Sequence, residues 1–167
     1  MLTTRLMLEL AANLSAPLDL GSVSAPLDYR KQISLANGTG DGKADLVFHD
    51  RRTIAASSTD SLDLAGSLTD PLGATLTFAT VKGLLVAASP SNTNTVVVGG
   101  AASNTWATWV GDATDKVIVR PGGVLVLFAS DATGYAVTAS TGDILEIANG
   151  GGGTSVTYDI VIVGASA

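Results

Sequence analysis

The last apolar run of the chain, 156–164, alternates with a period of two. Val156, Tyr158, Ile160 and Ile162 fall on one side, and Thr157, Asp159, Val161 and Val163 on the other, as in a β-strand whose successive side chains face opposite ways. The second side begins polar and ends apolar. That predicts a strand starting at a solvated rim and finishing covered on both faces. Shorter runs rich in Val, Ile and Thr recur along the chain between Asn-Gly, Asp-Pro, Ser-Pro, Pro-Gly-Gly and Gly-rich turns. They predict strands over 28–35, 44–49, 74–79, 81–88, 93–98, 105–110, 116–120, 124–129, 135–139, 143–148 and 155–164. Such close spacing belongs to a sandwich or barrel. The expected fold is all-β: a single antiparallel, jelly-roll-like β-sandwich over 28–167 with an extended N-terminal arm over 1–27.

The arm reads two ways. Leu2, Leu6, Leu10 and Leu14 fit one helical face, whereas Leu6, Leu8 and Leu10 alternate as a strand. After them "SAPLD" occurs twice, at 15–19 and 24–28, and Pro17 and Pro26 hold their segments extended. Two copies are too few for a repeat fold. The arm is expected to pack on its own sheet, on a neighbour, or on both, with Leu2, Arg5, Leu6, Pro17 and Pro26 as contacts. Glu9 and Asn13 interrupt its apolar stretch and argue against a secretion signal. No apolar run approaches the ~20 residues of a membrane helix.

Composition narrows the possible chemistry. The 167 residues hold nine Lys plus Arg against fifteen Asp plus Glu, and that net charge of −6 argues against a nucleic-acid partner. Charged residues make up only 14% of the chain, about half the usual share, which points to surface covered by copies of the chain or by a scaffold. With no cysteine, disulfides and thiolate chemistry are excluded.

The candidate motifs are weak. Gly150 to Gly153 cannot cradle a phosphate by opening a helix, because the β-branched run after Gly153 is unfit to start one; the expected role is the tip of a hairpin. In "ANGTGDGKAD" the pair Gly42-Lys43 is followed by Ala44, which breaks the nucleotide-loop pattern. As a calcium loop the segment puts Phe48 where a bidentate Glu belongs, leaving only a nonstandard site on Asp41 and Asp45. His49, beside Asp50, Arg51 and Arg52, is the lone histidine, and Ser57 or Ser58 would have to complete a triad. Asp60 and Asp63, three apart, face opposite sides of an extended chain and suit turns better than a carboxylate pair. No catalytic, cofactor or metal residue is assigned.

Contact residues are easier to nominate. Trp106 and Trp109, three apart in "SNTWATWVGD", fall on opposite faces of the expected strand: either one faces outward to anchor a partner or a sugar, or both belong to the core. Arg51 and Arg52 suit a subunit contact. Arg120 ends an apolar strand at a rim and could pair with Asp115, Asp131 or Asp143 of a neighbour.

The segments "ADLVFHDRRTIAASSTDSLDLAGSLTDPLGATLTFATVKGLLVAA", "NTNTVVVGG", "VIVRPGGVLVLFASDATGYAVT" and "GDILEIANGGGGTSVTYDIVIVGAS" together resemble small virion structural proteins of tailed bacteriophages, most of all head decoration (cement) proteins. The resemblance covers roughly residues 35–165 and rests on segment order and turn wording. It implies a β-sandwich or jelly-roll subunit, a homotrimer seated on the outside of a capsid, with the major capsid protein as partner. It carries no active-site residues. A second expectation is a tail-associated or carbohydrate-binding β-sandwich working through the tryptophans. A third is a hydrolase using His49 or the aspartates.

Overall fold

The computed structural model describes all 167 residues, and they form twelve strands. β1 (Thr4–Leu18) and β2 (Gly21–Asn37) make one long hairpin, and β3 (Lys43–Ala44) runs parallel to the end of β2. The body comprises β4 (Leu46–Ile54), β5 (Thr59–Asp63), β6 (Thr80–Ala88), β7 (Val96–Val98), β8 (Val117–Val119), β9 (Val124–Phe128), β10 (Tyr135–Ala136), β11 (Ile144–Asn149) and β12 (Val156–Ala165). One sheet runs β10-β6-β12-β4, with β9 sharing the free side of β6; the other runs β5-β11-β7-β8. Every pairing within these two sheets is antiparallel.

The inward rows of both sheets meet in one core of 21 buried side chains, which makes the body a β-sandwich. Val156, Tyr158, Ile160 and Ile162 of β12 belong to it, as the alternation predicted. Opposite them stand Leu62 of β5, Val96 and Val98 of β7, and Leu145 and Ile147 of β11. Each such aliphatic side chain contributes about 1.5–3 kcal/mol on leaving water. The outer row of β12 also follows expectation. Asp159 is half-buried beside Arg51, whereas Val163 is buried with Leu35 and Ala44 and packed by Leu2, Val47 and Phe128.

Four expectations are corrected. The run 74–79 forms no strand, although Leu76 and Phe78 are core: Leu76 bonds back to Leu68 and Phe78 to Leu64 individually, with no ladder beside them. Residues 105–110 are not a strand either. Thr105 makes one bridge to Ile144, and the chain then turns at Ala107–Val110. Asp60 and Asp63 were expected in turns, but residues 59–63 are β5, held by Leu145 and its neighbours in β11; only Asp63, at the strand's end, makes the expected turn bond, accepting from the Ala65 amide at 2.8 Å. Finally, Gly150 to Gly153 is not the tip of a hairpin. β11 and β12 lie in different sheets, so the loop carries the chain across the sandwich. Its composition says only that the chain turns; the pairing is set by remote partners, β5 and β7 for one strand, β4 and β6 for the other.

Crowding explains the glycines at the start of that loop. A Cβ on Gly150 would strike Thr95, and one on Gly151 would strike Asn94. Asn149, almost fully buried, fastens the crossing: its amide donates to Ala55 O (3.1 Å) and Thr154 O (2.8 Å), while its Oδ1 accepts from Asn94 and Gly151.

Gly164 sits where the β12–β6 register shifts, and a Cβ there would run into the Thr80 carbonyl and the Phe78 ring. Gly164→Ala is expected to lower stability by about 1–3 kcal/mol through overpacking. Gly21→Ala, with open space around it, is the neutral control. Equal urea midpoints for the two variants would refute this account of the bulge.

Candidate functional site

The arm is an amphipathic β-ribbon. Directly opposite residues of an antiparallel pair share a face. One face therefore carries Leu6 with Ile33, Leu8 with Lys31, Leu10 with Tyr29, Ala12 with Leu27, Leu14 with Ala25, Ala16 with Val23 and Leu18 with Gly21. The other carries Arg5 with Ser34, Met7 with Gln32, Glu9 with Arg30, Ala11 with Asp28, Asn13 with Pro26, Ser15 with Ser24 and Pro17 with Ser22. The first face is apolar but for Lys31. The second is polar, and Arg30 bridges Glu9 and Asp28 along it.

At about 3.3 Å per residue the ribbon is roughly 50 Å long. Every residue from Met7 to Gln32 is exposed, including Leu14 at 79% and Leu18 at 61%. Strand pairing thus decides between the two readings of the leucines. β2 runs without a break through residue 27, where the arm was expected to end, and the ribbon meets the body near Leu35. At that root the Leu2 amide donates to Asn37 Oδ1 at 2.7 Å. Leu6, half-buried, lines a shallow apolar groove of about 210 Å³ with Leu85, Val126, Phe128 and Val161.

The two prolines are placed systematically. Proline cannot donate to a ladder, so within a paired ribbon it must stand where its N–H would point outward. Pro17 removes a donor from the free edge of β1, and Pro26 removes one from the free edge of β2. The duplicated "SAPLD" puts one proline on each edge.

The other nominated residues lie apart from the arm. Arg51 grips Asp159 with two hydrogen bonds of 2.6 and 2.9 Å on the outer face of the sheet, which holds the Asp159 carboxyl below the usual carboxylate range. Arg52 turns toward β5 and donates to Asp60 at 2.9 Å and to Asp50 at 3.0 Å. Tyr158 donates its phenol to the same Asp60 at 2.7 Å. Burial pushes the Tyr158 phenol up, and the Asp60 carboxylate adds to the effect. Trp106 is buried rather than presented on a strand; its indole donates to Ala136 O, while that of Trp109 donates to Trp106 O with the rings 6.0 Å apart. The turn at 107–110 brings together two rings that a strand would have separated. Arg120 is exposed and makes no ion pair within the chain, for Asp115, Asp131 and Asp143 accept instead from the amides of Asp112, Thr133 and Ser140.

His49 is exposed on β4 opposite Val161, with no hydrogen bond to a serine. Asp45 accepts from Ser166 near the end of the chain. No three His, Cys, Asp or Glu side chains gather as a metal site, and no helix is long and apolar enough to cross a membrane. One residue was missed. Lys82, wholly buried in β6, reaches the carbonyls of Asp131 and Ala132 and ties the loop before β10 to the sheet. A single Lys inside "TVKGLLVAA" was the available signal.

Compared with models of known families, with curated proteins and with solved structures, the chain matches none.

The Asp60 cluster supplies a pH test. A phenol raised in the folded state adds stability that is complete below its unfolded value, near 10, and lost as the pH climbs past it. Tyr158→Phe is therefore expected to flatten the alkaline fall of stability between about pH 9 and pH 11, and Asp60→Ala to cost about 1–3 kcal/mol at neutral pH by orphaning the phenol and half of the Arg52 pairing. Denaturant unfolding across that range checks both; an unchanged alkaline slope in Tyr158→Phe would refute the first.

Proposed function

We propose that the chain is a non-enzymatic structural subunit of a tailed-phage virion, which decorates and stabilises the outside of the capsid by contacts with copies of itself and with the capsid protein. The observation that carries this reading is the 26-residue stretch from Met7 to Gln32, ordered as a ribbon yet exposed on every residue. An extended arm of that kind suits contact with other subunits, since nothing in its own chain covers its apolar face.

The body supports the same reading. With β10 set aside, β9-β6-β12-β4 faces β5-β11-β7-β8, an order that fits the jelly-roll form common among capsid domains. The clustered charges near His49 are paired with one another, which fits a solvated sheet face better than a hydrolytic centre. A sugar-binding role drew on an outward tryptophan and on the Asn/Thr-rich loops at 89–95 and 101–105; Trp106 is buried and Trp109, half-buried, packs against it, which favours the first reading.

The test is compositional and mechanical. Purified particles are expected to hold the protein in a fixed ratio to the major capsid protein. Shells lacking it are expected to regain heat resistance when it is added back, saturably. Particles without the protein, or stripped shells that neither bind it nor gain resistance, would overturn the proposal.

A further inference from the structure

The chain leaves the apolar face of its arm uncovered, and three features of the arm itself bear on what would cover it. The first is the mode of contact. With Pro17 and Pro26 interrupting the donors of the two free edges, the ribbon is a poor template for an added strand. Its face is the surface offered.

The second is relief. From Ala12 outward each cross-strand pair holds one larger and one smaller side chain, and the larger one switches strands at every step: Leu27, Leu14, Val23, Leu18. Knobs and hollows of this kind match a copy of the same surface. If two ribbons meet with their long axes reversed, about a two-fold axis level with Asn13, Leu14 of one lies over Ala12 of the other, Leu27 over Ala25 and Leu10 over Ala16.

The third is charge. Lys31, near the root, is the only charge on the apolar face, Asp19 stands at the tip, and neither forms an ion pair within the chain. Reversed ribbons put each Lys31 beside the partner's tip. Ribbons running the same way would put the two Asp19 carboxylates together. They would also set the bodies side by side: the arm through Leu35 carries three basic and three acidic residues, so the whole charge of −6 resides in the remainder.

We infer that the arm is a homotypic clasp: two copies of the chain pack the apolar faces of their hairpins together, antiparallel, and so tie neighbouring subunits to one another. Eleven residues of strand, Leu8 to Leu18, at about 3.4 Å each, on two strands about 4.8 Å apart, give a face of roughly 350 Å² per arm before relief is counted. That is small for a specific interface, so a single clasp is concentration-dependent, and it strengthens when subunits are already held at the matching spacing on a common surface. The clasp goes beyond attachment to a shell and is tested in purified protein with no capsid present.

Because the chain has no cysteine, single cysteines report only contacts between copies. With a short bis-maleimide, Ala12→Cys is expected to link into dimers at least about tenfold faster than Ser24→Cys on the polar face or Leu18→Cys at the tip. In sedimentation equilibrium Lys31→Glu is expected to weaken association about fivefold, and adding Asp19→Lys to the same chain to restore it. Equal linking from both faces, fastest linking at Leu18→Cys, no rescue by the double charge reversal, or a monomer at every concentration would each overturn the clasp.

Discussion

Both halves of the molecule lean on strand β12. It is hydrogen-bonded on both sides, to β4 and β6, over almost its whole length. Its inner row, Val156 through Ile162, closes the core, so removing any one of those side chains opens a void that rigid neighbours cannot fill. Its outer row does a second job at the far end. Val163 stays dry only because Leu35 and Ala44 lie over it, with Leu2 packed against them. The chain turns from arm into body at the one place where the outside of the sheet is apolar enough to receive it.

That junction explains why the arm is directed but not stabilised by the body. A two-stranded ribbon is marginal in water, and this one touches the sandwich only at its root. Its internal ion pairs, Arg30 with Glu9 and Asp28, are exposed and contribute little. Cross-strand contacts such as Leu10 with Tyr29 hold the register, yet they leave the same groups half wetted. What remains is an apolar strip whose free energy falls when a partner covers it. The body has no such need: its core is complete, and its buried Lys82 and Asn149 both meet carbonyl acceptors.

How much was legible beforehand follows from the range of each signal. Period-two alternation is local and physical, so β12 could be read directly and its inner row named, while β6, β9 and β11 showed as short apolar runs between turn signals. Pairing is not local, and so the glycine loop between β11 and β12 passed for a hairpin. "STDSLD" looked like a turn because its polar residues hid Leu62, the side chain that enters the core, and because Asp60 finds its partners, Arg52 and Tyr158, on another sheet. "TWATW" looked like a strand because spacing alone cannot distinguish alternation from a turn that folds two indoles together. The arm lay between these cases. Its leucines fitted helix or strand until β2 supplied partners, although mirrored alternation about Asp19-Leu20 was already present in the letters.

The prolines bring these strands of reasoning together. A long ribbon with apolar residues on one face and two open edges invites unlimited strand addition. Interrupting both edges leaves the face free while making open-ended pairing unfavourable, and face-to-face packing about a two-fold axis closes after two copies. The neutrality of the arm serves the same end. Apolar contact is insensitive to ionic strength over its own area, and in the proposed reversed pair the length of the ribbons keeps the acidic bodies beyond the range of screened repulsion. Under the proposed role, closure by geometry would let a subunit spread over a surface without aggregating before it arrives there.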